Sequence, residues 1–195
     1  MKVNEAILTR RSTRVYDDRS VEQEKLDLVI EAGRHAPSGG NNQTTHFIVI
    51  RSKKVLADLA RLVKQEFAKM EETPGMYKSL AGAIRRAKGD VYIFHYNAPV
   101  LILTANRADY GNNIADCACC LENMMIEANE LDLGTCWINQ LKWLNENDVI
   151  TEYLRTIGLA EGERVYGALS VGYAKTGLPD RDPLPRTGNP VTWVD

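Results

Sequence analysis

Apolar positions along the chain follow two rhythms. Short, β-branched runs stand at residues 46–50 (His-Phe-Ile-Val-Ile), 98–104 (Ala-Pro-Val-Leu-Ile-Leu-Thr) and 164–173, and each predicts a buried strand, the proline of the second being tolerated at its first position. Between them the spacing becomes helical. Residues 21–35 put Leu26, Val29, Ile30 and Gly33 on one face, residues 53–70 keep the same period, and residues 148–157 repeat it. A first short helix runs through Glu5-Ala6-Ile7-Leu8, with Asn4 expected as its cap. Residues 73–89 are mixed and basic and predict no defined element. The most apolar helix spans residues 112–131. Its Ile114, Ala115, Cys117, Ala118, Leu121, Met124, Met125 and Ala128 spread beyond one stripe, so cover is expected on most sides, from the core or from a second subunit. Gly134 is placed to cap its end.

Strands and helices mix without a regular βαβ alternation, which predicts an α+β fold. Residues 174–195 hold Pro179, Pro183, Pro185 and Pro190 and cannot fold back as a helix. They end in Val191-Thr192-Trp193-Val194, costly to leave in water, so an extended arm docked on a second subunit is expected. The length of 195 residues suits one domain over residues 1–195. With 24 Lys and Arg against 26 Asp and Glu, the net charge of −2 argues against a nucleic-acid binder. No signal-like or membrane-spanning run is visible, and Cys117, Cys119, Cys120 and Cys136 are poorly spaced for disulfides. A reducing, cytoplasmic setting without membrane attachment is therefore expected.

Several chemistries lack their residues. The sequence has no G-x-G-x-x-G after a strand, no Walker loop and no H-E-x-x-H, and Ser170 lies inside an apolar strand rather than on a nucleophile elbow. The histidines His35, His46 and His95 are scattered, so no metal site is expected. Cys-x-Cys-Cys in an apolar helix lacks the loop spacing of iron-sulfur ligands. Three segments remain. Arg10-Arg11-Ser12-Thr13-Arg14 gathers guanidiniums and a hydroxyl suited to a phosphate, although a solvated basic turn has the same composition. Pro37-Ser38-Gly39-Gly40-Asn41-Asn42-Gln43 offers amides able to read a heterocycle edge, or an ordinary turn. Leu133-Gly134-Thr135-Cys136-Trp137-Ile138-Asn139-Gln140 presents backbone N–H groups, or a plain connection with Trp137 in the core.

The order of these segments, with Asn97-Ala98-Pro99-Val100 and Val171-Gly172-Tyr173, resembles the FMN-dependent nitroreductase family over essentially the whole chain. The resemblance implies a central, mainly antiparallel sheet flanked by helices, and a homodimer exchanging C-terminal arms with FMN at the subunit interface. By similarity Arg10 and Ser12 would face the FMN phosphate, Arg14 the pyrimidine edge, and Arg11 a more variable basic position. Pro37, Ser38, Gly39 and Asn41 would lie along the flavin. Gly39 stands where a second serine is common, and Thr44-Thr45 where Pro-Trp is common. Residues Cys136, Trp137, Ile138, Asn139 and Gln140 would supply a backbone donor to flavin N5. Asn139-Gln140 replace two frequent glycines and are expected to narrow the pocket. Arg181 or Arg186 would add a cation at the phosphate. The implied activity passes a hydride from NADH or NADPH through flavin N5 to a small acceptor such as a nitroaromatic or quinone, with no catalytic side chain because the flavin carries the chemistry. The alternative is an FMN-binding sensor or reservoir without turnover.

Overall fold

The computed structural model describes residues 2–177 and 182–194. Helix α1 (Val3–Thr9) and helix α2 (Gln23–Arg34) precede strand β1 (His46–Ile50), followed by α3 (Lys53–Ala68) and α4 (Lys78–Ala87). Strand β2 (Val100–Arg107) leads into the long α5 (Asn113–Glu130), the short β3 (Gly134–Ile138), α6 (Gln140–Trp143), α7 (Asp148–Thr156) and β4 (Glu163–Gly172). The four strands form one antiparallel sheet in the order β1-β2-β4-β3.

The period-two alternation of β2 sorts the core into two layers. Leu101, Leu103 and Ala105 face α3, α4 and α7, packing with Leu59, Val63, Phe67, Ile84 and Leu154. Val100 and Ile102 face the opposite way, with Leu169 and Val171 of β4, onto Val29 of α2 and Leu121 and Met124 of α5. Both faces are covered, which is why the strands read as continuous apolar runs. Helix α2 lies close on α5 at Gly33, where a Cβ would stand 2.9 Å from Met124 Cγ.

Several sequence expectations are corrected. Helix α1 begins before Asn4, with Ala6 N–H donating to the Lys2 carbonyl at 3.1 Å, so Asn4 lies inside the first turn and is not its cap. The chain reverses after α5 at Asp132, which takes φ 58°, and Gly134 opens β3 instead of capping the helix. The segment over residues 73–89 contains α4, whose Ala83, Ile84 and Ala87 are buried while Arg85 and Lys88 pair with Glu72 and Glu71 outside. Helix α5 is buried on the sheet side but exposes Ile114, Ala115 and Cys119. Residues 183–194 form neither helix nor strand and are exposed, with Trp193 86% accessible. Among the described residues, no helix is long and apolar enough to cross a membrane.

Candidate active site

The basic run is stitched to the sheet. Strand β3 ends the sheet order, paired with β4 on one side and leaving the other side to the basic run. Ser12 bridges to Thr135 there in parallel fashion, and Thr13 N–H donates to the Thr135 carbonyl at 2.7 Å. Tyr16 anchors the segment: its hydroxyl donates to the Thr13 carbonyl at 2.8 Å and accepts from Ser170 Oγ at 2.8 Å, and the Cys136 carbonyl lies 3.2 Å from the same serine oxygen. Burial holds the Tyr16 phenol far above its ordinary value, so it remains a neutral donor.

An extended backbone sends alternate side chains to opposite sides. Thr13 turns inward onto Gly134, where a Cβ would meet Thr13 Oγ1 at 2.5 Å; only glycine permits that approach. Ser12 and Arg14 alternate with it, and both, together with Arg10, act on the Cys136 thiol. Burial raises the thiol pKa, opposed by the Arg14 charge, a Ser12 hydrogen bond and the Arg10 charge. The Arg-x-Ser-x-Arg spacing is thus the period of an extended strand. Arg14 reaches over the Tyr96 ring, 5.9 Å from its centroid. Burial opposes its charge, but Cys136, a hydrogen bond with Tyr96, and Tyr16 outweigh that, and the guanidinium sits above its ordinary value. Arg11 lies apart from this group: it donates to the carbonyls of Leu8 at 3.0 Å, Arg10 at 2.9 Å and Asp182 at 2.5 Å, tying the root of the arm to the body. Arg186 is exposed farther along the arm, and Arg181 lies outside the described residues.

Beyond Cys136, strand β3 carries Trp137 and Ile138 to the loop end at Asn139 and Gln140. Both amides are engaged in hydrogen bonds within the chain. Trp137 Nε1 donates to Asn139 Oδ1 at 2.8 Å, and Gln140, 7% exposed, donates to the Tyr92 hydroxyl at 3.0 Å. As the cap and first residue of α6, they have N–H groups without an intrahelical acceptor.

The loop over residues 37–43 is held elsewhere. Gly39 N–H donates to Asp116 of α5 at 3.1 Å, and Asp116, 2% exposed, also accepts from Tyr110 Oη at 3.0 Å and Asn112 Nδ2 at 2.6 Å. This cradle explains the glycine. A Cβ at Gly39 would stand 2.6 Å from Tyr110 Oη and 2.8 Å from Asn112 Nδ2. Gln43 N–H donates to Ser38 Oγ at 3.0 Å and Gln43 Nε2 to Asn41 Oδ1 at 3.1 Å, with Gly40, Asn41 and Gln43 all at positive φ. Left-handed backbone at two non-glycine residues is unusual strain of the kind found at ligand loops. A cleft of about 510 Å³ opens beside Pro37, between His35, Ser38, Asn41, Phe47 and Cys120.

The two segments are anchored to different ends of α5. Asp116 holds the Gly39 loop near the start of α5, whereas Asn129 near its end donates to the Ala6 carbonyl and to Thr9 Oγ1, each at 2.9 Å, beside the basic run. The 13 residue steps from Asp116 to Asn129 span roughly 20 Å of helix.

Comparison with known proteins decides the family. The pattern of the nitroreductase family matches residues 7–173. The chain belongs to the nitroreductase family. This nitroreductase-family chain is 31% identical to a Bacteroides fragilis nitroreductase crystallised with bound FMN, with a TM-score of 0.89 and full coverage of both chains. The same fold recurs in an FMN-bound nitroreductase of Desulfitobacterium hafniense, at 23% identity and a TM-score of 0.82, again over both full chains. It is also 28% identical over 169 residues to an Archaeoglobus fulgidus protein proposed by name to be an NADH dehydrogenase/NAD(P)H nitroreductase, covering 87% of this chain and 83% of that one.

Motif reading missed Thr13, Tyr16, Tyr92, Tyr96, Tyr110 and Asp116. Asp116 alone left a trace, a carboxylate beside Cys117 and Cys120 in the most apolar helix.

Proposed function

We propose that the protein is an FMN-dependent oxidoreductase that takes electrons from NADH or NADPH and delivers them to a small organic acceptor such as a nitroaromatic or quinone. The observation that carries this reading is the gathering of Arg10, Ser12 and Arg14 with Cys136 at the edge of β3, next to the loop end at Asn139 and Gln140. That donor set fits a phosphate-bearing flavin: two guanidiniums and a hydroxyl share one group, and among the described residues no ion pair occupies Arg10 or Arg14. FMN, when bound, supplies two-electron hydride chemistry at N5. Arg10 and Ser12 bind its phosphate, with Arg186 or Arg181 as the further cation. Arg14, firmly protonated, places positive charge at the pyrimidine edge, where electron density rises on reduction. Residues Cys136, Trp137, Ile138, Asn139 and Gln140 carry the backbone donors to the ring. No side chain is required as acid or base.

Pro37, Ser38, Gly39 and Asn41 line the flavin from a second copy of the chain. The anchoring of the two segments to residues of α5 that stand roughly 20 Å apart along the helix favours this, because a dimer brings one chain's loop to the other's basic run. The exposed Ile114, Ala115 and Cys119 of α5 supply an apolar face for that contact, and the arm ending at Trp193 reaches across. The chain acts as one domain within such a homodimer.

The test is an absorption spectrum of the purified protein followed by anaerobic addition of NADH and of NADPH. Flavin bands that bleach within the mixing time of a manual assay are expected. Bands that persist would replace the enzyme with a flavin sensor or reservoir, and a protein left colourless after FMN is supplied would refute both readings.

A further inference from the structure

The pair Asn139-Gln140 stands in a loop assigned above to the reacting face of the cofactor, and its two side chains are spent on internal hydrogen bonds. The Gln140 bond is the more deeply placed. Its partner Tyr92 is itself buried and gripped on three sides: Phe67 packs edge-on with ring centroids 6.5 Å apart, Arg86 of α4 lies 5.7 Å from the ring centroid, and Gln140 Nε2 meets the hydroxyl at 3.0 Å. Burial pushes the phenol above its ordinary value, so at neutral pH it stays neutral and accepts from the amide. Breaking this bond strands a buried amide donor of Gln140, which is costly, while the Tyr92 hydroxyl keeps Arg86 beside it. Residue 140 is therefore tied to residue 92, in the segment before β2, and through it to α3 and α4. The neighbouring Asn139 is tied to Trp137 at 2.8 Å.

We propose that the hydrogen bond between Gln140 and Tyr92 is a positioning clamp that holds the end of the Trp137 to Gln140 loop in one conformation and so aims its backbone N–H groups at the cofactor. The inference rests on the reading that FMN lies against this loop. A donor speeds hydride acceptance only where it is already aimed at the atom that gains charge, because a donor that must first reorient spends its interaction energy on that step. Glycines would leave the loop end free; the side chain of Gln140 removes that freedom. Tyr92 and Gln140 are positioning residues, acting through the backbone of residues 138–141.

The test uses the full chain in three forms: Tyr92→Phe, which keeps the ring packed, Gln140→Leu, which keeps the volume, and the double variant. Amide hydrogen exchange of the apoprotein is read at residues 138–141, and stopped-flow reduction by NADH is read on the FMN-loaded protein. Each single variant is expected to speed exchange at these residues about tenfold, leaving the middle of α5 unchanged. Each is also expected to slow flavin reduction at saturating NADH about tenfold, with the Kd for FMN and the apparent Kd for NADH moving less than about twofold. The double variant is expected to match the worse single one, since all three remove the same bond. Unchanged exchange in both single variants overturns the clamp, whatever the state of the flavin. Faster exchange with an unchanged reduction rate reduces the bond to a folding contact and overturns the proposal. A parent protein that takes up no FMN overturns the functional reading instead, and the exchange result then decides the loop clamp by itself.

Discussion

Replacing Gly134 by alanine attacks the proposed phosphate site without touching any residue assigned to FMN. The new Cβ would stand 2.5 Å from Thr13 Oγ1 and 2.8 Å from both Thr13 Cβ and Cγ2. Thr13 Cβ sits directly on the backbone, so no rotamer change relieves the clash. Ordinary contact begins near 3.4 Å, and the Ser12-Thr13 segment must retreat by about half an ångström or more from the edge of β3. That motion stretches the hydrogen bond from Thr13 N–H to Thr135, now 2.7 Å, toward the limit of useful geometry. Overpacking costs about 1–3 kcal/mol and the weakened hydrogen bond about 1 kcal/mol. The sum, roughly 2–4 kcal/mol, corresponds to a melting temperature lower by about 5–15 °C in a chain of this size. Ser12 and Arg14 move with Thr13, so FMN affinity should fall as well. Thermal unfolding of the apoprotein and an FMN titration by flavin fluorescence measure the two effects. Gly111→Ala, where a Cβ meets nothing within 4 Å, is the control and should be silent. Thr13→Ala should return part of the loss, because it removes two of the three clashing atoms. A Gly134→Ala protein that melts with its parent and binds FMN equally well would show that the basic run does not depend on this close approach.

Other consequences are open to direct measurement. Arg10→Ala combined with Ser12→Ala removes two donors from the phosphate, and at about 1.5–3 kcal/mol each FMN affinity should drop at least about a hundredfold; retention of FMN through dialysis would exclude the phosphate assignment. Deleting residues 191–195 should weaken the homodimer, since the exposed Trp193 and its apolar neighbours are proposed to dock on the partner; sedimentation as an unaltered dimer would remove that role. Glu66 is held below the usual carboxylate range by its hydrogen bond to Lys69 and then by that to Asn147, against the opposing effect of burial. A carboxyl depressed in the folded state contributes its full stability above the unfolded pKa and loses it as the pH falls through the folded value, here below about pH 4. Glu66→Gln should therefore be less stable than its parent at pH 7, and the gap between their urea midpoints should narrow as the pH falls below about 4; a gap that stays constant would refute the assignment.

Much of the scaffold was legible because its residues answer to local rules. The β-branched runs of β1, β2 and β4 and the amphipathic periods of α2, α3 and α7 appear where the pattern placed them, within one or two residues at most ends. The elements missed are those whose formation depends on a distant neighbour. Gly134-Thr135-Cys136-Trp137-Ile138 has a glycine and small residues at its start and becomes a strand by pairing with β4, Cys136 lying opposite Ser170. Helix α4 hid behind its charges, because its buried face is built largely from alanines. The cap expected of Gly134 belongs to Asp132, and the glycine serves instead to admit Thr13.

The candidate site divides along the same line. The sequence alone determined which chemical groups are present: the Arg10, Ser12 and Arg14 set at period two, the amide-rich loop of Pro37 to Gln43, an apolar helix too broad for one face, and an arm unable to form a helix. Residue type and short-range spacing are written in the chain, and so are the propensities that follow from them. Tertiary structure decided which groups meet. It laid the basic run along β3, with Ser12 bridged to Thr135 123 residues later in the chain, fixed Gly39 to Asp116 and Gln140 to Tyr92, and anchored the two halves of the proposed flavin site at opposite ends of α5. Those pairings depend on how the sheet closes and how the helices pack on it, and no local pattern specifies the position in space of a neighbour so far away in sequence.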